Sequence, residues 1–460
     1  MWLALTIVGS VPPKAAPQTE PEAARTQAHL KTAAEADLLL LLNEVAVNKA
    51  AQNLVGLEFT LANGAVLRVN AIQAQLKDAA ANIRLDVQAQ SAPNAKAFNL
   101  QLIGVITDAE MHDDALRLPF RLTEISLANG LLTPLLRLWF GEWLAPERWN
   151  AALPPLTLPR ELAEQIEIPA AQFEVKGALP MKVTTTAYQL PLKFSLAALC
   201  LLEGRLAVAL RLQDMPANPG PATEANNLRE QLSTPRELRA RLSKSLISQL
   251  LARLAGARTD DIQLELQPAR IRQEETGGPL AITNYTDLES GTARGDVRQI
   301  LLERLDGNGI ETRLQVQGVF DTKLRGREYG IPYRLAPRGI FSINDRSVPL
   351  QVTSASERVF LQATPGTALP LDLRFQFGLA GRELGFNRQV NLPAERLLKQ
   401  LELPSFYLRK LPLPRKLAAE KSGKLTVTEQ HELNLQLSGV QIRAHSDAVE
   451  FTGDLTVNRQ

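Results

Sequence analysis

This sequence carries one cysteine, Cys200, in 460 residues. A single thiol excludes an intrachain disulfide and a thiolate metal cluster. It lies in the apolar run LAALCLLEG, where a buried, inert thiol is expected. Histidine is nearly as scarce. His29 falls in a Pro- and Ala-rich stretch, His112 in AEMHDDALRL beside Asp113 and Asp114, His431 opens HELNLQL, and His445 sits in AHSD. Leu435 stands where the second histidine of an H-E-x-x-H zinc helix would be. P-loop, G-x-G-x-x-G and G-x-S-x-G patterns are missing. Acidic neighbours such as Asp260-Asp261 and Glu274-Glu275 sit side by side in loop-like sequence, whereas acid–base work needs two carboxylates in different environments across a cleft. We therefore expect no enzyme, no catalytic residue, no metal and no cofactor.

Excess charge of one sign is also missing. Lys and Arg number 51 against 49 Asp and Glu, and aromatic residues make up only 5%. That balance gives no whole-molecule attraction to nucleic acid. The basic groups Arg236, Arg239, Arg241 and Lys244, then Arg325, Arg327, Arg334 and Arg338, then Arg409, Lys410, Arg415 and Lys416, are not interleaved with aromatics as a single-strand binder requires. They read as a solvated polar face, or as a rim that meets anionic head groups. Long apolar runs are lacking too, so no internal membrane-spanning helix is expected. The first ten residues, MWLALTIVGS, are apolar but fall short of the ~20 needed to span, and no Lys or Arg precedes them. We read 1–34 as an apolar N-terminus, an incomplete export signal, followed by a linker. On that reading the protein is periplasmic or associated with the cell envelope of a bacterium.

What is present is alternation. In AVLRVNAIQAQL, Leu67, Val69 and Ala71 share one face, and in NIRLDVQA so do Ile83, Leu85, Val87 and Ala89. ALRLPFRL, VTTTAYQLPLKFSL, RLAVALRL, DIQLELQ, TRLQVQGVF, LDLRFQFGL and ELNLQLSGVQIRA continue the pattern. One aliphatic and one polar face point to antiparallel sheets covered on one side. Asp306-Gly307-Asn308-Gly309 has the chemistry of a hairpin tip and lacks the carboxylate spacing of a calcium loop.

Helical spacing is rarer. Leu238, Leu242, Leu246, Ile247, Leu250, Leu251 and Leu254 form a stripe at 3.6 residues, with Thr234 as N-cap, Pro235 at the first helical position and Gly256 as the stop. DLLLLLNEVAVNKAAQNLVG, Asp37 to Gly56, is read as a counterpart helix. Leu38, Leu42, Val47, Leu54 and Gly56 stand 200 positions before Leu238, Leu242, Ile247, Leu254 and Gly256. Helices are also expected from Thr133 in TPLLRLWFGEWLAPERWN and from Asn391 in NLPAERLLKQLEL. Each leads to a Leu-Pro-Arg phrase, in LPPLTLPRELAEQIEIPA and LRKLPLPRKLAAEKSGKL, with Pro159 and Pro414 lying 255 apart. Subtracting 200 from 255 leaves 55 extra residues, placed between Gln273 and Gly309 where the strands are expected to be interrupted. The expected fold is α+β and β-dominated, with long curved antiparallel sheets each wrapped on an amphipathic helix in two pseudo-repeated modules. These modules cover 35–220 and 221–460, the second with an insertion near 273–309.

Those segments, DLLLLLNEVAVNKAAQNLVG, the Leu238–Leu254 stripe and the two Leu-Pro-Arg phrases, occur in an order that resembles the tubular lipid-binding (TULIP) superfamily. That group includes the bactericidal/permeability-increasing-type proteins and bacterial exported families. The resemblance touches most of 35–460 and is architectural; it carries over no individual functional residue. It implies a long apolar groove between helix and sheet that accommodates acyl chains. The single cysteine and the extra segment depart from the secreted animal members. On this basis Leu38, Leu42, Leu242, Leu246 and Leu250 are expected to line an apolar groove. Trp139, Phe140 and Trp143 either join the core or form a mouth or membrane-touching edge. The expected partner is a lipid or other hydrophobic molecule, with peripheral membrane contact and no nucleic acid. The alternative is a dry β-scaffold of the cell envelope acting through protein–protein contacts.

Overall fold

The computed structural model describes residues 35–60, 64, 66–90, 95–107, 110–112, 115–127, 145–147, 150, 156–213, 236–256, 262–275, 282–306, 309–355, 358–379, 382–398, 400–404, 411–419 and 425–459. Trp139, Phe140, Trp143 and the turn residues Gly307 and Asn308 lie outside them, as does the expected module boundary near 220.

The chain begins with β1 (Leu38–Asn43) and α1 (Glu44–Ala51), followed by a 3-10 turn at Gln52–Leu54. Next come β2 (Glu58–Thr60), β3 (Val66–Lys77), β4 (Ala80–Gln90), β5 (Phe98–Thr107), β6 (Glu110–His112), β7 (Ala115–Leu118) and β8 (Phe120–Leu127). Then follow β9 (Leu156–Pro159), β10 (Glu161–Ile168), β11 (Ala171–Val175), β12 (Met181–Thr185), β13 (Tyr188–Leu202) and β14 (Arg205–Leu212). The second half opens with β15 (Leu238–Ser243) and α2 (Lys244–Gly256), then β16 (Ile262–Leu266), β17 (Ala269–Glu275), β18 (Thr283–Asp306) and β19 (Gly309–Glu328). It continues with β20 (Ile331–Leu335), β21 (Arg338–Ala355), β22 (Arg358–Ala363), β23 (Ala368–Leu379), β24 (Arg382–Pro393), α3 (Ala394–Leu397) and β25 (Leu401–Glu402). It closes with β26 (Leu411–Ala419), β27 (Leu425–Ala444) and β28 (Ala448–Arg459).

The fold is α+β and β-dominated, with large curled antiparallel sheets and few helices. Among the described residues one sheet has 13 strands in the order β10-β13-β14-β1-β15-β28-β27-β26-β2-β3-β4-β5-β8. A second has 12 strands running from β11 through β12, β16, β18, β19, β21 and β22 to β25, and β6, β7 and β9 form a third. Strands of both sequence halves lie in each large sheet. One continuous apolar cluster fills the space between them. It takes Leu38, Phe194, Leu210 and Phe451 from the larger sheet, Val297, Leu314, Phe320 and Phe341 from the smaller, and Leu246, Leu250 and Leu254 from α2.

Glycines shape the smaller sheet. Gly295 faces Gly318, and Gly318 faces Phe341 on the next strand. A Cβ at either glycine would collide with the Phe341 ring. The missing side chains let the ring lie flat over two strands, a device that curves sheets. Phe320 covers Gly339 in the same way and packs on Phe375 at 4.6 Å between ring centroids.

Several expectations are corrected. The five leucines at 38–42 form a strand; the helix starts only at Glu44. The run has no period because β1 is buried on both faces: Leu38 and Leu42 join the inter-sheet core, while Leu39 and Leu41 join Ala198, Cys200, Ala207 and Ala209 on the opposite face. Likewise Leu238 and Leu242 lie on a strand, and α2 begins at Lys244. Its cap is Ser243, whose Oγ accepts from the Leu246 amide at 3.0 Å; Thr234 lies outside the described residues. The segment expected to interrupt the strands contains β18, at 24 residues the longest strand described. The helix expected from Asn391 shrinks to the four residues of α3. Ala71 is only half-buried, because a bulge between Val69 and Ala71 shifts the inward phase of β3 to Ala74 and Leu76.

The strand order of the larger sheet reads alike outward from its β1–β15 centre, and so do the hydrogen bonds. Asn43 donates its amide to the Glu237 carbonyl at 2.9 Å, and Ser243 donates to Asp37 at 2.8 Å. Glu44 donates to Gly204 and Lys244 to Asp447. The Asp37 carboxylate accepts from the Leu212 amide at 2.9 Å, and that of Glu237 from Leu455 at 2.8 Å. Phe194 pairs with Leu212 as Leu437 pairs with Leu455, and both hairpins carry a bulge a few residues on. The first strands are related by 200 positions and the last by 243, so the halves differ by 43 residues here rather than 55. The Leu-Pro-Arg phrases, 255 apart, are not register equivalents: Pro159 precedes β10, whereas Pro414 lies within β26.

Candidate functional site

A cleft of about 1160 Å³ opens where β10, the end strand of the larger sheet, comes beside β22 and β25 of the smaller one. One wall is the unbroken stretch Ala163–Pro169 with Ala187, Tyr188 and Gln189. The other is Arg358, Phe360, Gln400, Glu402 and Leu403. Strand alternation produces this lining. Along β10, Glu164, Ile166 and Ile168 turn inward and are buried, while Glu161, Ala163, Gln165 and Glu167 are exposed. Ile166, Ile168 and Leu403 thus form an apolar floor, with Tyr188 packed against the same cluster.

The rim is polar. Arg358 Nη1 lies 3.2 Å from Glu402 Oε2, and Gln400 Nε2 donates to Gln362 Oε1 at 2.7 Å. Phe360 faces Glu402 across β22–β25, which holds its ring at the cleft wall. Its volume is above the ~300–1,000 Å³ typical of small-molecule pockets.

The residues expected to line a groove occupy related positions. Leu38 and Leu42 lie on β1, Leu242 on β15, and Leu246 and Leu250 on α2. β1 pairs with β15 so that Leu38 faces Leu242. All five belong to the apolar cluster that reaches the cleft floor. Leu38, Leu242, Leu246 and Leu250 are 0% exposed and Leu42 is 8% exposed, so protein atoms cover them. The cleft lies three strands from β1, roughly 14 Å at ~4.8 Å per strand. Sequence reasoning missed it, because Ile166, Ile168 and Leu403 look like any inward aliphatics until β10 is known to end a sheet.

Most of the described residues of the basic groups resolve into ion pairs. Arg236 meets Asp454 at 2.5 Å, Arg239 meets Glu450 at 2.6 Å, and Arg241 meets Asp447. These arginines lie on or just before β15, not on a helix. Arg338 pairs with Asp321 at 3.0 Å, and Arg415 and Lys416 pair with Glu429. His445 Nε2 stands 3.4 Å from Glu450, which Arg239 already engages. Asp113 and Asp114 lie outside the described residues, and among those described no group of His, Cys, Asp and Glu is arranged to hold a metal ion. Burial raises the pKa of the Asp37 carboxyl, against the opposing pull of the Leu212 amide and Arg211. Burial likewise raises that of Tyr333, whose hydroxyl meets Thr286 Oγ1 at 2.5 Å. Neither group belongs to the cleft. What the cleft offers is apolar burial and hydrogen bonding.

No protein-family model matches the chain. No curated protein sequence matches it either. Among solved structures it is similar to a crystal structure of lipopolysaccharide binding protein, with a TM-score of 0.26 and 10% identity over 92% of this chain and 99% of that chain.

Proposed function

We propose that this protein binds a lipid or other hydrophobic ligand without transforming it, and that the ligand enters at the cleft between β10 and β22–β25. The supporting observation is continuity. The cleft floor, Ile166, Ile168 and Leu403, belongs to the same apolar cluster as Leu38, Leu42, Leu242, Leu246 and Leu250. A hydrocarbon laid on that floor gains about 0.8 kcal/mol per buried methylene and needs no dedicated polar side chain. Penetration toward α2 would require the helix to shift, since its inward leucines are fully covered. On this reading residues 35–220 and 221–460 are repeated modules, and the apolar first ten residues direct the chain to a bacterial envelope.

The test is titration of the full chain with a pyrene-labelled fatty acid. Wild type should bind it saturably, and Phe360→Glu, at the half-buried cleft wall, should weaken binding at least tenfold. Equal binding by both would remove the cleft from the account. A second reading, a dry envelope scaffold, is favoured by the complete covering of Leu38, Leu242, Leu246 and Leu250. On that reading the fatty acid does not bind at all.

A further inference from the structure

We propose that the β19–β20 hairpin and the adjoining start of β21 form a surface that docks on an anionic membrane, with Tyr329 and Ile331 entering the head-group region. None of its residues lines the cleft, so docking does not depend on what the cleft holds.

The first argument is exposure. The four most exposed large hydrophobic side chains among the described residues are Ile331 at 68%, Val319 at 61%, Tyr329 at 59% and Ile340 at 55%. All fall within 319–340. Val319 faces Ile340 across β19–β21, and Tyr329 and Ile331 stand at the tip that joins β19 to β20. On the opposite face of the same strands Phe320, Leu324 and Phe341 are each only 1% exposed. Large apolar side chains left outward in one region mark a contact surface.

The second argument is the tip. Tyr329 has φ 49° and Gly330 φ 81°, the left-handed pair that a two-residue hairpin turn requires. Asn, Asp or Gly suits the first of these positions, and a bulky residue there is strained. The turn is held nonetheless, because buried Asn284 accepts the Tyr329 amide on Oδ1 at 2.9 Å. Turn chemistry alone therefore does not account for the tyrosine. Its ring, apolar in body and polar at the hydroxyl, suits a membrane interface.

The third argument is charge. Lys323, Arg325 and Arg327 are exposed on the same face of β19 as Val319, and Arg334 lies opposite Arg325. With Arg338 they make five basic residues in 319–340, against the two acidic ones Asp321 and Glu328. Asp321 pairs with Arg338 at 3.0 Å. Glu328 is turned away from this face and lies 3.5 Å from Arg272. Arg325 stands 3.8 Å from Asp287 and from Glu289, and Arg334 3.7 Å from Glu289. Lys323 and Arg327 form no ion pair among the described residues. Cations beside exposed apolar side chains match an anionic bilayer, where the first meet phosphates and the second leave water. A nucleic acid would meet the cations and leave Ile331 in water.

The test is flotation of the full chain with vesicles of phosphatidylcholine, alone or mixed with phosphatidylglycerol. Wild type should bind the mixed vesicles at least tenfold more tightly, with the difference shrinking in high salt. Tyr329→Asn, which suits the turn, combined with Ile331→Thr should weaken that binding at least tenfold. Lys323→Glu combined with Arg327→Glu should do the same. Insertion is read from Ile331→Cys carrying an NBD fluorophore, since the single native cysteine, Cys200, is buried. Its emission should shift to the blue on mixed vesicles, and this reading decides the matter should a double variant fail to match wild type by circular dichroism. Failure of wild type to bind mixed vesicles, or equal binding to both kinds, overturns the anionic membrane partner. Binding without a blue shift overturns it too, as does binding that falls with the charge variant but survives the folded tip variant, because a soluble polyanion would then explain the face.

Discussion

Leu40 faces Ala240 at the centre of the β1–β15 pair, and the remaining pairings of the two strands are symmetric about that point. Chemistry breaks the symmetry on one face. Leu41 faces Ala207 in the first half, and the related pair in the second is Arg241 and Glu450. Arg239, related to Leu39, reaches Glu450 with both side chains only 14% and 10% exposed.

That difference yields a prediction. Arg239→Leu leaves Glu450 buried without its main cation and should cost about 3–5 kcal/mol, as for other broken buried pairs. Adding Glu450→Ala restores the residue types of the first half and should recover at least half of that loss. Urea unfolding of the two single variants and the double variant gives the coupling. Additive losses would contradict the account of this face.

Asp37 predicts a pH dependence of unusual sign. Burial raises its folded pKa, so between its unfolded and folded values the native chain holds more protons than the unfolded one. Its contribution is therefore most favourable below about pH 4, the ordinary aspartate range, and is lost as pH rises through the raised value. Asp37→Asn keeps an oxygen for the Leu212 amide and removes the buried charge. Its melting temperature should equal or exceed wild type at pH 7, with the difference closing toward pH 4. A variant less stable than wild type at pH 7 would show that the charge is stabilising.

Gly318 and Gly385 should respond oppositely to alanine. A Cβ at Gly318 meets the Phe341 ring and the Arg294 carbonyl. Gly318→Ala should destabilise by about 1–3 kcal/mol, as overpacking does. At Gly385 the nearest atom is 3.5 Å away, so Gly385→Ala should be neutral or stabilising by a few tenths of a kcal/mol. Thermal unfolding distinguishes the two. Equal effects would mean that Phe341 does not depend on the gap.

Period-two alternation makes the β-dominated class legible in the sequence, and the 200-residue spacing relates two segments, expected as helices, that fold as the strand–helix units Leu38–Ala51 and Leu238–Gly256. The strand–helix boundary was not legible. Five consecutive leucines satisfy a helix, a buried strand and a core loop equally, and only pairing with Leu206–Leu210 and Leu238–Leu242 selects the strand. The second stripe misled for a similar reason: Leu238 and Leu242 are spaced by four, which suits both a helix and one face of a strand. The cleft depends on which strand ends the sheet, a long-range outcome that no local pattern around Ile166 encodes. The difference of 43 residues likewise needed hydrogen-bond register, because the two Leu-Pro-Arg phrases match in wording but not in position.

Native mass spectrometry of the gently purified full chain tests the central claim most directly. The account predicts a species heavier than the polypeptide by one hydrophobic ligand, released on activation and diminished in Phe360→Glu. A single ligand-free mass, unchanged after incubation with fatty acid, would contradict it and leave the scaffold.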